Sequence, residues 1–371
     1  MKKKLLALAL ASALALSLVG CAPKAPPEVS PSDTAVTDQP TTEKPYIAVV
    51  SKGFQHQFWQ VVKKGAEQAA TDFNVEITFD GPPTESDIAI QVDMLKSAMD
   101  KKPAAVCLAA LDTESVKEQL DAMQKAGIPV VGFDSGVPNA PEGSIYATAS
   151  TDNAAAAGLA AQHLFDEPSF KAALEAATAD KPITVAVLSQ DATSESIISR
   201  TSGFVDKLVE LVGADNAKVI GHDKYAKDAA AAKLIINVNV TATTSATDMK
   251  SGAEALLGQN PVAIYGSNEN AAGGILAASN DGNDFNKDNG KFKSIIAIGF
   301  DAGKTQRTAV QNQWFLGSVT QDPYQIGYKA VALAVDALAG KAAASPIVDT
   351  GAKWYNSENL SDPMISDLVY E

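Results

Sequence analysis

Two aspartates follow matching apolar runs in the two halves of the chain, and their carboxylates could accept hydrogen bonds from a hydroxylated molecule. Asp134 ends the run 130–133 and Asp301 ends the run 297–300; both runs close on Gly-Phe, and each aspartate precedes a small residue and a glycine. An apolar run that ends in turn residues is typical of a buried parallel strand. In an open α/β sheet, ligands bind outside the carboxyl ends of the strands. The repeat therefore predicts a cleft between two sheets, with an acidic acceptor on each wall.

A second group of suitable side chains follows the first predicted strand. Residues 51–60 contain three aromatic rings, an imidazole, a lysine and several amides. An aromatic face can cover the C–H face of a sugar ring while polar groups bind its hydroxyls, and binding sites commonly combine apolar walls with a few placed polar groups. From this segment we expect five residues at the ligand: Lys52, Phe54, His56, Phe58 and Trp59. The alternative for the last two is that they begin a helix and pack into the core.

Further polar residues could complete such a site, although each also has an ordinary structural explanation. Arg200 lies in a predicted helix, and Asn268 lies where another helix begins. A guanidinium and a carboxylate together could clamp a polyol, because ionised hydrogen bonds are the stronger ones. Arg200 could instead be a solvated charge and Asn268 an N-cap, while Asp134 and Asp301 could be turn formers or caps.

Motifs for catalysis, cofactors and metals are missing or imperfect. No G-x-S-x-G occurs, and no G-x-G-x-x-G follows a strand. Residues 299–305 imitate a phosphate loop, but they are one residue short between the glycines, and Asp301 would repel phosphate. Residues 281–290 resemble a calcium loop, but Ile295 stands in place of the closing glutamate, so a polar surface loop is expected. The three histidines lack ligand spacing. We therefore expect no catalytic residue, no cofactor and no metal.

The elements that must position these residues alternate between short apolar runs and segments of helical periodicity. The expected strands are 47–50, 75–79, 104–111, 128–133, 183–188, 218–221, 262–265, 295–300 and 316–319. The expected helices are 58–73, 87–99, 115–125, 154–164, 196–211, 247–257, one from about 271, and 324–338. This alternation predicts βαβ units with parallel sheets. We expect an α/β fold with two similar Rossmann-like halves.

The N-terminal segment predicts export and anchoring. Three lysines precede the apolar run 5–19, which fits a signal peptide over residues 1–20 and is too short for a transmembrane helix. Residues 18–21 look like a bacterial lipobox, which implies that Cys21 is acylated, as by palmitate, and holds the protein on the cell membrane. The alternative is an ordinary signal peptide with a chance cysteine. The stretch 21–43 would be the lipidated cysteine and a flexible tether.

Charge and cysteine content exclude several classes of protein. The net charge is −14, and it becomes −17 once the three lysines of the signal peptide are removed. An acidic chain of this kind disfavours nucleic acid as a partner. Cys107 lies in an apolar run with no second cysteine available, so we expect a buried core thiol and no disulfide framework.

From about Lys44 to Leu338, the chain resembles type I periplasmic-binding-protein-like solute receptors of the ribose-binding class, which serve carbohydrate ABC transporters. The segments that carry the resemblance are 47–50 with 58–59, 127–134, 151–153, 267–269, 299–301 and 321–327. The resemblance implies that Phe58 and Trp59 stack on a sugar. It also implies that the ligand site includes Asp134, Thr151, Arg200, Asn268, Asp301 and Gln321.

The resemblance further implies two discontinuous lobes that close on the ligand about a hinge. The N-terminal lobe would be 44–151 with 322–350, and the C-terminal lobe 152–321 with 351–371. The expected partners are a small sugar or polyol, a transporter permease and the membrane through the lipid anchor, with the protein a monomer. His56 and Ser135 depart from ribose receptors, which have Asn and Arg there. These departures put ribose itself in doubt; a hexose, polyol or sugar conjugate fits about as well.

Three other functions are compatible with parts of this pattern. A sensor receptor for a membrane kinase or chemoreceptor would share the fold and the ligand site. An exported glycosidase could use Asp134 and Asp301 as its pair of carboxylates. A lactose-repressor-type regulator also shares the fold, but the export signal and the missing basic helix-turn-helix argue against it.

Overall fold

The structure, a computed structural model, describes residues 43–54 and 56–370 of the chain. The predicted signal peptide, Cys21 and all of the predicted tether except Glu43 lie outside the described residues. Within the described part, no helix combines the length and the apolar character needed to cross a membrane.

Thirteen strands form two sheets in the described part of the chain. The strands are β1 (Tyr46–Val50), β2 (Glu76–Asp80), β3 (Ala105–Leu108), β4 (Val130–Phe133), β5 (Thr148–Ser150), β6 (Ile183–Ser189), β7 (Ala217–Ile220), β8 (Leu234–Val240), β9 (Ala263–Gly266), β10 (Ile296–Phe300), β11 (Phe315–Gln321), β12 (Ile347–Asp349) and β13 (Ala352–Tyr355). The first sheet has the order β12-β5-β4-β3-β1-β2, and all its paired strands are parallel. The second has the order β13-β11-β10-β9-β6-β8-β7, in which β13 alone runs antiparallel to its neighbour.

Eleven α-helices connect and cover these strands in the described residues. They are α1 (Gln57–Asp72), α2 (Ile88–Asp100), α3 (Lys117–Lys125), α4 (Asn153–Asp166), α5 (Pro168–Ala176), α6 (Glu195–Val212), α7 (Ala246–Leu257), α8 (Glu269–Ala277), α9 (Lys304–Gln311), α10 (Pro323–Leu338) and α11 (Pro363–Ser366). Short 3₁₀ turns cover Ala214–Asn216, Asp223–Tyr225 and Asn283–Phe285. The predicted α/β class with two mainly parallel sheets is confirmed.

Most expected elements lie within a few residues of their predicted bounds; helices α5, α9 and α11 were not predicted, and the omitted strands share a cause. Strands β5 and β12 are three residues long, and β13 lies in the tail where no period is visible. Strand β8 is longer, but two asparagines interrupt its apolar run. Short or interrupted runs give a weak periodic signal, so pairing with neighbouring strands decides whether they become strands.

Two helix pairs pack at close range because small residues let their backbones approach. A Cβ atom on Gly65 of α1 would lie 2.0 Å from the carbonyl oxygen of Tyr324, and one on Gly327 of α10 would lie 1.9 Å from that of Val62. Helix α10 thereby packs on α1, although about 260 residues separate them. In the other half, a Cβ atom on Gly203 of α6 would likewise lie too close to the backbone of α4, so these two helices also pack closely.

Cys107 lies in β3 and is fully buried beside the pair formed by α1 and α10. Its thiol donates a weak hydrogen bond to the carbonyl oxygen of Ala330, with sulfur and oxygen 3.5 Å apart. Burial raises the pKa of the thiol to about 12, so it stays protonated. Its role is that of a small apolar core residue.

Candidate functional site

Asp134 and Asp301 occupy equivalent positions at the carboxyl ends of β4 and β10, with similar backbone strain. Both have left-handed φ angles, 54° and 76°. Aspartate tolerates this region better than most residues, but the conformation still costs energy and persists where the surroundings fix it. Ser150 Oγ donates to the carbonyl oxygen of Asp134 at 2.7 Å, and Ser318 Oγ donates to that of Asp301 at 2.9 Å. The two halves thus fix their aspartates in the same way.

Both aspartates line one cavity between elements of the two sheets. Nine of the eleven sequence-predicted site residues line it; Phe54 and Thr151 are the exceptions. The lining residues are Lys52, His56, Phe58, Trp59, Glu85, Asp134, Ile197, Arg200, Asn268, Glu269, Asp301 and Gln321. The sequence prediction missed Glu85, Ile197 and Glu269.

On the side of the first sheet, Asp134 pairs with Lys52. Lys52 Nζ lies 3.2 Å from Asp134 Oδ2 and donates to Ser196 Oγ at 3.0 Å, and both members of the pair are buried. Within the described part of the chain, no donor is aligned to hydrogen-bond Oδ2. Burial lowers the pKa of Lys52, but Asp134 and Glu85 more than offset this and leave it raised. Burial raises the pKa of Asp134, and the Lys52 ammonium opposes the rise.

On the side of the second sheet, Asp301 accepts hydrogen bonds from two donors. Gln321 Nε2 donates to Oδ1 at 2.6 Å, and the backbone N–H of Glu269 donates to Oδ2 at 2.9 Å. Thr151 Oγ1 donates to Gln321 Oε1 at 3.0 Å, so Thr151 lies behind the cavity wall and orients the amide. The carboxylate of Asp301 is therefore fixed before any ligand arrives.

Arg200 lies beside Asp301 and is almost fully buried. Its Nη1 is 3.5 Å from Asp301 Oδ2, its Nε donates to Asn153 Oδ1 at 2.8 Å, and its guanidinium lies 4.1 Å from the centre of the Phe300 ring. The planar guanidinium suits this combination of an ion pair and an aromatic face. Arg200 is therefore a buried residue of the cavity wall and not a solvated charge.

Phe58 and Trp59 open α1, and both line the cavity. Their rings meet edge to face with centroids 5.0 Å apart, and the exposed fractions of the two residues are 6% and 1%. Trp59 also contacts Phe133 of the core at 6.3 Å, and its Nε1 donates to Glu85 Oε1 at 2.7 Å. The core-packing alternative and the cavity-lining expectation thus both describe Trp59. Phe54 is 38% exposed and packs on Phe79, away from the cavity.

Glu85 is a buried carboxylate in the loop after β2. Besides its bond from Trp59, it accepts one from Gln190 Nε2, which comes from the second sheet, at 2.9 Å. Burial raises its pKa, but Lys52 and His56 outweigh this and leave it below the ordinary value. The rule that ligands lie beyond strand carboxyl ends could have identified Glu85, which follows β2 by five residues.

Asn268 and Glu269 begin α8 at the cavity. Asn268 Oδ1 accepts the Ala271 N–H at 2.9 Å, which is the N-cap alternative, while its Nδ2 donates to Gln190 Oε1 at 2.8 Å. Glu269 accepts a bond from the Tyr370 hydroxyl at 3.3 Å. Burial raises the pKa of Glu269 to about 7, with His56 opposing the rise and Asp301 adding to it.

Several direct hydrogen bonds join the two sides of the cavity. Lys52 donates to Ser196, and Glu85 accepts from Gln190, as described above. Ser86 Oγ also lies 2.9 Å from Thr244 Oγ1, and Thr193 Oγ1 donates to the carbonyl oxygen of Leu111 at 3.0 Å. In the described residues, no group of three or more His, Cys, Asp or Glu side chains is placed to hold a metal. The arrangement supplies ionised acceptors, cationic donors and an aromatic wall, which suit binding of a small hydroxylated ring.

Comparisons with known proteins place this geometry in context. A family model described as a periplasmic binding protein domain matches residues 47–342. The D-allose-binding periplasmic protein of Escherichia coli (strain K12) is 24% identical over 296 residues, which are 78% of this chain and 83% of that protein.

Two solved structures are similar over most of the chain. An ABC transporter, LacI family transcriptional regulator, from Brachyspira murdochii is 40% identical with a TM-score of 0.74, and the match covers 88% of this chain and 99% of the other. An ABC transporter solute-binding protein from Agrobacterium vitis with bound D-fucose is 28% identical with a TM-score of 0.72, covering 88% and 100%.

Proposed function

Since the chain belongs to the periplasmic binding protein family, we propose that it is the extracytoplasmic sugar-binding protein of an ABC importer. Its ligand would be a monosaccharide or a related polyol. The observation that carries the proposal is the buried cavity in which Asp134 and Asp301 face a ligand from opposite sides, beside the aromatic pair Phe58 and Trp59. The D-allose protein and the D-fucose complex support the same ligand class.

The ligand would be held between two lobes that close about a hinge. We place the N-terminal lobe at 44–151 with 322–350 and the C-terminal lobe at 152–321 with 351–371. Sheet membership supports these bounds, because β12 pairs in the first sheet whereas β13, three residues later, pairs in the second. The hydrogen bonds across the cavity would belong to the closed form, which the permease would recognise.

The protein would act as a monomeric receptor anchored by lipid on Cys21, and not as an enzyme. Relatives named as binding proteins support a binding role. Each aspartate is also held against a cation, Lys52 or Arg200. Such pairing suits fixed hydrogen-bond acceptors better than a carboxyl group that must exchange a proton in each turnover.

Screening the purified protein against monosaccharides and polyols by thermal shift, followed by calorimetric titration, tests the proposal. A true ligand at 100 times its Kd should stabilise the protein by about 2.7 kcal/mol. Asp134→Asn and Asp301→Asn should each weaken binding at least about tenfold, because hydrogen bonds to charged groups contribute about 1.5–3 kcal/mol. Asp288→Asn, on an exposed loop, is the control that should bind normally.

Two results would count against the proposal. The first is full retention of sugar binding in both cavity variants, which would move the site elsewhere. The second is chemical change of the sugar during incubation, read by mass spectrometry of the recovered ligand, which would favour the glycosidase alternative.

A further inference from the structure

The charged side chains of the cavity do not balance, and this bears on which sugar the proposed receptor binds. Six ionisable side chains other than histidine line it: Glu85, Asp134, Glu269, Asp301, Lys52 and Arg200. Four are carboxyls and two are cations. A buried charge without a partner is costly, so the excess of carboxyls calls for an explanation.

Both cations already have carboxylate partners. Lys52 pairs with Asp134 at 3.2 Å, and Arg200 pairs with Asp301 at 3.5 Å. These two pairs lie on opposite sides of the cavity and are buried. Glu85 and Glu269 are therefore the carboxyls left in excess.

Glu85 is bonded to neutral donors, not to a cation. Trp59 Nε1 and Gln190 Nε2 each donate one hydrogen bond to it. Lys52 lowers its pKa from a distance, but no ammonium or guanidinium forms an ion pair with it in the described residues. The nearest imidazole atom, His56 Nε2, is 3.9 Å away and has no hydrogen-bond partner among residues 43–54 and 56–370.

Glu269 lies in the same cavity, and its Oε1 lies close to Gly303, the residue that precedes α9. The groups that face it are His56 before α1, Glu85 after β2, Asp301 after β10 and Tyr370 near the C-terminus. Two of these are carboxyls, and the hydroxyl of Tyr370 donates over a long 3.3 Å. Its pKa of about 7 fits a carboxyl that lacks a cation.

Polar atoms of the wall that have room for a further hydrogen bond are an independent sign that the ligand supplies polar groups here. Among the described residues, Asp134 Oδ2 faces the Lys52 ammonium at 3.2 Å without an aligned hydrogen bond, and the enclosed Nε2 of His56 has no hydrogen-bond partner. A carboxylate oxygen only accepts and has more than one lone pair, so Asp134 can take a further hydrogen bond from the ligand beside Lys52. A neutral hydroxyl could supply that bond, but it would bring no positive charge to Glu85 and Glu269.

We propose that the ligand is an aminated sugar or polyol whose protonated amine binds in the part of the cavity lined by Glu85 and Glu269. An ammonium has three donors and one positive charge, which match two carboxyls better than a hydroxyl does. The remaining hydroxyls would bind Asp134, Asp301 and the amides. The proposal rests on the proposed sugar-binding function and narrows its ligand class.

Calorimetric titration with matched triplets tests the proposal. Each triplet contains a neutral hexose, its amino-deoxy form and its N-acetylated form, measured at pH 7 in buffers of different ionisation enthalpy. We expect the amine to bind at least about tenfold more tightly than both relatives, since a charge-assisted bond is gained. Binding of the amine should also release protons as Glu269 ionises, while the neutral sugar should not.

Substitutions of the two glutamates test whether they cause the preference for the amine. Glu269→Gln and, separately, Glu85→Gln should reduce the preference for the amine about tenfold, measured within each variant as the ratio of its affinity for the amine to its affinity for the neutral hexose. Glu175→Gln, on the exposed face of α5, is the matched control and should keep the full preference. Two substitutions are used so that one poorly folded variant does not decide the result.

A neutral hexose that binds as tightly as its amine would overturn the inference and leave the proposed function standing. Retention of the amine preference in both glutamine variants would overturn it as well. Failure of every sugar in the panel to bind would instead reject both the inference and the sugar-binding function.

Discussion

Replacing Asp301 with alanine should destabilise the protein strongly even without a ligand. The carboxylate accepts two hydrogen bonds, from Gln321 Nε2 and from the N–H of Glu269, and it faces Arg200 at 3.5 Å. Truncation leaves all three donors buried and without this partner. Arg200 keeps its bond to Asn153 and its contact with a ring, which moderates the loss.

The magnitude follows from these partners. Removing one member of a buried ion pair costs about 3–5 kcal/mol, and a buried donor left unpaired costs about 1–3 kcal/mol. Because the partners are coupled, the terms do not add, and we expect about 3–5 kcal/mol for Asp301→Ala. Asp301→Asn also removes the charge beside Arg200, but it keeps an acceptor for the Glu269 N–H and should therefore cost less than alanine by about 1–3 kcal/mol, the cost of one unpaired buried donor. Whole domains have about 5–15 kcal/mol of stability, so both variants should still fold.

Equilibrium urea unfolding, followed by circular dichroism and tryptophan fluorescence, measures these differences. Coincident transitions from the two probes would justify a two-state treatment. Asp93→Ala is the control, since that side chain is 75% exposed and its pair with Lys96 should contribute within about 0.5 kcal/mol. A loss below about 1 kcal/mol in Asp301→Ala, or equal losses in the alanine and asparagine variants, would refute the reasoning.

Two further predictions concern packing and pH. Gly327→Ala should lower the free energy of unfolding by about 3 kcal/mol, because its Cβ would lie 1.9 Å from a backbone oxygen. Gly273→Ala, whose Cβ would have no atom within 4 Å, should instead raise the free energy of unfolding by about 0.5–1 kcal/mol. Equal effects of the two substitutions in urea unfolding would contradict this prediction. Glu269 has a folded pKa of about 7, above the ordinary glutamate pKa of 4.5, so the folded state holds the proton over this interval while the unfolded state loses it. Its contribution to stability is therefore present below about pH 4.5 and is lost as the pH rises to about 7, by on the order of 3 kcal/mol. Glu269→Gln should gain stability relative to the wild type across that interval, and a difference independent of pH would contradict the assignment.

Much of the fold could be predicted because the apolar runs are distinct and regularly spaced. The Gly-Phe-Asp repeat indicated both aspartates, and their shared strand-end position brought them to one cavity. Short strands such as β5 and β12 could not be predicted, since three residues carry no measurable period and pairing alone stabilises them.

The charge of the site was harder to predict than its position. Glu85 lies in a loop whose path no periodicity describes, and Glu269 looks like an ordinary first-turn helix residue. Their importance depends on which cations are already paired, and sequence spacing does not determine that. Phe54 illustrates the opposite error, since it lies in the right segment but packs on Phe79.

The close contact of α1 with α10 has a consequence for how the newly made chain acquires its shape. The backbone around Gly65 meets the backbone around Gly327, so the first sheet lacks one of its covering helices, α10, until residues late in synthesis are available. Joining such distant segments carries a loop-closure entropy that short-range contacts avoid. A secreted chain would therefore leave the translocon with its N-terminal half still incomplete, a state that chaperones and proteases outside the membrane can reach.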